Sequence, residues 1–358
     1  MKNNIASLEG YRTIVFLLIF LSHSGAILHN FGALSVSCFI ILSGFITYYV
    51  YEGKSIDVDF KGCISFSYKK VKRMYPLHLV MLIPAILIQV TLVIVGRLKL
   101  NIIHFFLTLI PNIFLVQSWF PQNSIYFGYN GVSWYLSTYG FLCLMFPLLF
   151  KVMKKWNIHK SIISIVFSMT ILIFLSFILE VLNLQHYKEW LLYVFPPVRL
   201  IDYFMGMQIG WFFCNNKKII KSIMITILQS ITIILAVALT FFLEMNYQSC
   251  LSYDVISEPI IIYMLVVMLM TYLVATNKGI INCLFKNKIL SYVGKMNIYA
   301  FLIHNLVIQY THILMSNLLS EDVNPIILSV ISLLVTYIIT YIYIRINSYF
   351  VKGKLLNK

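Results

Sequence analysis

The chain has 358 residues, 60% hydrophobic and only 11% charged, with a formal net charge of +15. A soluble domain with that balance would expose a greasy surface, and a β-barrel would show short alternating segments in place of apolar runs long enough to cross a bilayer. The basic residues sit in short loops between those runs, where they orient the chain in a membrane; no soluble basic domain is present to carry a nucleic-acid role. The expected fold is all-α, a polytopic transmembrane helical bundle.

In chain order the predicted spans are Tyr11–Leu28, Ala33–Val50, Leu77–Val95, Val132–Leu149, Ile162–Leu179, Leu191–Phe213, Ile219–Phe242, Pro259–Ala275, Ile289–Met315 and Ile326–Ile344. The first resembles a signal sequence, but it carries Arg12 and His23 and a second span follows at once, so it reads as a retained helix. Between the third and fourth lies "NIIHFFLTLIPNIFLVQSWF", with His104 near its start and Pro111 in its middle.

Charge decides whether that segment crosses. If it does not, and the N-terminus is cytoplasmic, the inside loops collect Lys54, Lys61, Lys69, Lys70, Lys72, Arg73, Lys151, Lys154, Lys155, Lys160, Lys217, Lys218, Lys221, Lys278, Lys286 and Lys288. The tail adds Lys352, Lys354 and Lys358, and only Arg97, Lys99 and Lys188 stay outside, beside Glu180, Glu189, Glu244, Asp254, Glu258, Glu321 and Asp322. A crossing would send every later basic loop outside, against the positive-inside bias. The expectation is ten crossings with both termini cytoplasmic, and Asn101–Phe120 re-entrant or at the outer surface, its backbone shielded by protein. A single membrane domain fills residues 1–350 and a short basic tail 351–358. Neither an internal repeat nor a transporter-like inverted duplication is visible. The six cysteines form no CxxC, and only Cys250 lies in an outside loop, so neither a disulfide framework nor a metal site is expected.

Polar residues inside the apolar runs are the candidates for function, because ionisable groups in a membrane are costly. Arg12 and His23 are eleven residues apart. That is close to three turns, about 16 Å along one helix face, with Arg12 at the cytoplasmic mouth. A long ligand, anionic at its cytosolic end, could touch both, and acyl-coenzyme A has that shape. His23 could take a proton from an attacking hydroxyl. Lys69, Lys70, Lys72 and Arg73 in "SYKKVKRMYPLH" are either an orientation signal or a phosphate clamp, and both can hold. Ser43-Gly44-Phe45 in the second span is a packing point or a substrate-facing notch. Trp134 and Tyr135 suit an interface belt, and Ser137 could face an acceptor. Arg199 either pairs with Asp202 three residues on or binds ligand. Gly206 and Gly210 form a small-residue packing seam, and His304 sits midway up the ninth span.

Together and in this order, these motifs resemble the bacterial membrane acyltransferase-3 family, the integral-membrane enzymes that O-acetylate surface polysaccharides. The likeness covers nearly the whole chain. It rests on the arginine, ten residues, histidine of Arg12 and His23, on Ser43-Gly44-Phe45, and on the basic run ending in Arg73 and Pro76. Trp134, Leu136 and Ser137, then Arg199 with Phe204 and Gly206, then Tyr299 and His304 complete it. The resemblance implies transfer of an acyl group, usually acetyl, from cytosolic acyl-CoA to a carbohydrate hydroxyl in the bacterial cell membrane. In it His23 and Arg12 are catalytic. Lys69, Lys70, Lys72 and Arg73 hold the CoA phosphates, and Ser43, Trp134, Ser137, Arg199 and His304 serve the acceptor. Many members carry an acidic residue after the W-x-L-S motif, where this chain has Tyr139 and Gly140, which points to the capsule and exopolysaccharide branch. A lipid-linked saccharide flippase and a non-catalytic scaffold or sensor are the competing classes, and the sequence leaves the oligomeric state open.

Overall fold

The computed structural model describes residues 5–27, 29–96, 99, 101–216, 220–249, 257–319 and 324–356. The span ends Leu28 and Ile219, and the loop residues Arg97, Lys217, Lys218, Cys250, Asp254, Glu321, Asp322 and Lys358, lie outside the described residues.

Fourteen α-helices and no strand occur among the described residues. They are α1 Ala6–His23, α2 His29–Tyr51, α3 Phe60–Val71, α4 Tyr75–Ile94, α5 Ile102–Ile113, α6 Asn123–Tyr126, α7 Trp134–Met153 and α8 Ile158–Val181. There follow α9 Pro196–Asn215, α10 Ser222–Ser249, α11 Ser257–Ala275, α12 Ile280–Phe285, α13 Lys288–Leu319 and α14 Pro325–Leu356. Their starts follow from local chemistry. The side chains of Asp59, Asn101 and Asn157 accept the backbone N–H of Gly62, His104 and Lys160, each at 3.0 Å, and so cap α3, α5 and α8. Prolines open α4 and α9, where no intrahelical N–H is needed.

Each of the ten predicted spans overlaps one of these helices, although the sixth, Leu191–Phe213, begins in a separate π-helical turn, Trp190–Val194, that ends at the extended Phe195 before α9. Seven of them, α2, α4, α7, α8, α10, α13 and α14, are long and apolar enough to cross a membrane. The burial pattern is that of a membrane bundle. In α2, 72% of the apolar span is buried, against 22% in α8 and α10. α2 is therefore central, and the outer helices turn Ile, Val, Leu and Phe outward to lipid. The last helix runs on through Leu356, so most of the expected tail continues it.

The tightest seam is α2 against α9. A Cβ on Gly44 would collide with the Tyr203 carbonyl, and one on Gly206 with the Ile41 carbonyl, so the two backbones touch at reciprocal glycines. Gly44 is thus a packing point, and the seam expected at Gly206 and Gly210 is formed with α2.

The segment between α4 and α7 holds no helix long enough to cross a membrane. Its helix α5 has 12 residues, about 18 Å, short of the roughly 30 Å hydrocarbon core. The Arg73 Nε bond to Tyr299 and the Tyr310 hydroxyl bond to Pro84 both span 226 positions, so α4 and α13 run parallel and in register. At that offset His78 lies level with His304. His78 Nε2 meets the Asn112 carbonyl at 2.8 Å, and the Tyr75 hydroxyl donates to the Ile113 carbonyl at 3.0 Å. The end of α5 therefore reaches the depth of His304. Ile102, Ile103, Phe106, Leu107 and Ile110 are exposed while Thr108 and Asn112 face inward, which keeps the polar face within protein.

Candidate active site

The site is built on α1 and α13, which pack side by side. Thr13 Oγ1 donates to the Leu290 carbonyl at 2.7 Å, and Asn297 Nδ2 reaches Thr13 Oγ1 at 3.4 Å, with its Oδ1 accepting from Tyr337 at 2.9 Å. This locks the N-terminal half of α1, so Arg12 has a fixed backbone. Its guanidinium pairs with Glu9 at 3.3 Å, one turn earlier. Arg12 also borders a cavity of about 110 Å³ with Ser43, Met74, Tyr135, Tyr139, Asn297 and Phe301 among its walls. Ser43 and Tyr135 hydroxyls face each other across it at 3.5 Å. The position of the missing carboxylate, Tyr139, is a wall of this cavity, its ring stacked on Tyr135 at 6.1 Å.

At the other end of α1, His23 Nδ1 lies 3.0 Å from His304 Nε2, with the rings stacked at 5.1 Å and 11°. His304 Nδ1 is 2.7 Å from the Phe301 carbonyl. A carbonyl only accepts, so His304 Nδ1 carries its proton, and in the neutral ring Nε2 is then the acceptor. His23 Nδ1–H donates to it, and the His23 lone pair resides on Nε2. This tautomer assignment follows from the hydrogen-bond network. His304 is fully buried between Phe16, Phe20 and Phe301, whereas His23 is exposed at the carbonyl end of α1.

Phe301 links the two ends. It borders the cavity beside Arg12, its carbonyl holds His304, and its ring packs against Phe39 at 6.2 Å and Tyr135 at 5.2 Å. The cavity stops at Phe39 and Phe301 and does not reach His23.

The basic cluster separates. Lys70 turns inward over the rings of Tyr51 and Phe66 at 5.2 and 5.4 Å, and Lys54 covers the same Tyr51 ring at 5.1 Å. Burial pushes the Lys70 ammonium below its ordinary pKa. Lys72 lies over Tyr68 at 5.6 Å, and Lys69 and Lys72 are exposed. Arg73, in the turn before α4, donates from Nε to the Tyr299 hydroxyl at 2.9 Å, next to Met74 and Ile298 of the cavity wall. Of the four, Arg73 lies nearest the cavity.

Trp134, Ser137 and Arg199 stand apart from that cavity. On α7, Tyr135, Leu136 and Tyr139 face it, while Trp134 packs on Tyr193 at 5.1 Å and Ser137 is buried on the Trp134 side. Arg199 is 1% exposed, joined to Asp202 at 2.6 Å and to Ser37 Oγ at 3.2 Å. Sequence reasoning passed over Glu9, Asn297 and Phe301. Glu9 is visible as a carboxylate one turn from Arg12, and Asn297 as an amide in an apolar run. Phe301 has no sequence signature, since its role comes from its carbonyl and its neighbours.

The fold and this site define a helical membrane protein with an Arg–His first helix. The acyltransferase-3 family profile, described as an acyltransferase domain, matches residues 5–345, and the chain belongs to that family. It is similar to Acyltransferase MdmB of Streptomyces mycarofaciens, at 27% identity over 236 residues, 57% of this chain. The match spans 56% of that relative, about half its length. No solved structure matches the chain.

Proposed function

We propose that this chain is a membrane-bound O-acyltransferase of the bacterial cytoplasmic membrane. It moves an acyl group, acetyl in the first instance, from cytosolic acyl-CoA onto a hydroxyl of a surface or exported polysaccharide such as capsule or exopolysaccharide. The observation that carries this reading is the His23–His304 pair, a base with a fixed tautomer at the end of the helix whose cytoplasmic half bears Arg12. The family membership and the relative's name support acyl transfer as the reaction class.

In this mechanism both termini are cytoplasmic. Arg73, with the exposed Lys69 and Lys72, holds the CoA phosphates, arginine offering bidentate contacts. Arg12 guides the extended arm past Ser43. A cavity of about 110 Å³ holds only a short part of that arm, so the rings of Phe39 and Phe301 move aside for the thioester to reach His23. The acceptor hydroxyl attacks the thioester carbonyl while His23 Nε2 takes its proton. The imidazolium then donates its Nδ1–H to His304 Nε2, and the carbonyl end of α1 favours its positive charge. Collapse of the tetrahedral intermediate breaks the C–S bond, and the proton passes from His23 to the departing thiolate. His304 holds His23 in its tautomer, the orienting role that a carboxylate plays in other base–orienter pairs.

The test is deletion of the gene followed by NMR of the surface polysaccharide. Loss of O-acyl signals, restored by the wild-type gene, is expected. An unchanged acyl pattern in the deletion strain refutes the reading.

A further inference from the structure

A second, larger cavity of about 560 Å³ opens between α4, α5, α6 and α13, away from the Arg12 cavity. Its walls include Gln89, Asn101, Phe105, Thr108, Phe127 and Gln309. Amides, aromatic rings and the aliphatic Val90, Val93 and Ile94 share the lining, and among the described residues Lys99 is its only lysine or arginine. Gln89 and Gln309 make no hydrogen bond among the described residues. Thr108 is 6% exposed and its Oγ1 has no partner, although the residue borders the cavity. That oxygen is closed off beneath the wall, so the groups this groove offers a ligand are the unpaired Gln89 and Gln309 amides.

The cavity connects to the histidine pair by position. Gln309 is five residues beyond His304 on α13, about 7.5 Å further toward the outer end. Asn305 lies on the same face as Gln309, one turn back and next to His304. It also makes no hydrogen bond among the described residues and borders Gly131, whose Cβ would stand 3.5 Å from its amide. A line of amides thus leads from the groove to the level of His23.

Lipid tails would leave these amides unpaired, and a phosphate-rich ligand would call for more cations. Side-chain amides both donate and accept, which suits vicinal hydroxyls, and ring faces suit the apolar face of a sugar. We propose that this groove is the acceptor subsite, taking two or more residues of a neutral saccharide chain and presenting one hydroxyl past Asn305 to His23. This rests on the acyltransferase reading above and adds where, and by what chemistry, the acceptor is held.

The experiment uses the full-length protein in nanodiscs, acetyl-CoA, and an oligosaccharide pool made from the producing cells' own de-O-acylated polysaccharide. Saturation-transfer NMR without acetyl-CoA reads saccharide binding, and steady-state transfer reads the acceptor KM. A Gln89→Ala/Gln309→Ala variant is expected to raise the acceptor KM roughly tenfold, at about one hydrogen bond lost per amide, with the acetyl-CoA KM unchanged. Saccharide binding that is lost in the double variant supports the groove even if no acyl transfer occurs, in which case the catalytic reading alone falls. Transfer with an unchanged acceptor KM in the double variant overturns the groove, as does saturation reaching only lipid acyl chains.

Discussion

Two helix pairs in this protein bury ionisable side chains, and they do so in opposite ways. On the α2–α9 seam, Arg199 is closed off by Asp202 and Ser37, and the helices meet at reciprocal glycines. On the α1–α13 seam, Arg12 borders a cavity and His23 is exposed, though both are tied to partners. An intramembrane charge therefore marks function only when its surroundings leave room for a ligand. The first pair holds the bundle together, and the second is the one proposed to do chemistry.

This contrast can be broken by substitution. The largest effect is expected for His23→Ala, which should cut acyl transfer by roughly 10²–10⁴-fold while leaving folding intact, read as turnover per folded molecule in nanodiscs. Asp202→Ala should act the other way. It strands Arg199 in the core and costs about 3–5 kcal/mol of stability, measured by thermal denaturation, whereas the Arg199→Met/Asp202→Leu pair should recover most of it and keep turnover per folded molecule. His304→Asn should lower kcat by roughly one to two orders of magnitude with the acyl-CoA KM unchanged, since it orients His23 without touching donor. Arg73→Ala should raise the acyl-CoA KM roughly tenfold, and more steeply at low salt. The smallest change is expected for Ser43→Ala, below about threefold, because its contact with Tyr135 is at the limit of hydrogen bonding.

The sequence carried much of this, unevenly. Apolar runs and charge placement were enough to find the ten long helices and to set Asn101–Phe120 apart, because membrane burial acts on composition and length. The three-turn spacing placed Arg12 and His23 on one face, since helical geometry is local. The partner of His23 was harder. Residues 281 positions apart meet only when α1 and α13 pack, and nothing local to His304 encodes that. The tautomer depends on the Phe301 carbonyl, which every residue has. Trp134 and Ser137 stand one turn apart and share a face, but the side of α7 that faces the cavity is set by packing on α3 and α9 and by the Phe301 ring, and it is Tyr135 and Tyr139 that turn inward. Likewise, four basic residues in five positions look alike in sequence, yet the helix end sends Lys70 onto aromatic rings and Arg73 to the cavity wall.

The central claim is that His23, oriented by His304, is the base for acyl transfer. The most direct measurement is transfer of labelled acetyl from acetyl-CoA to purified polysaccharide by membrane vesicles carrying equal amounts of folded wild-type or His23→Ala protein. The account predicts transfer in the wild type and its near-complete loss in the variant. Full transfer by His23→Ala would contradict it.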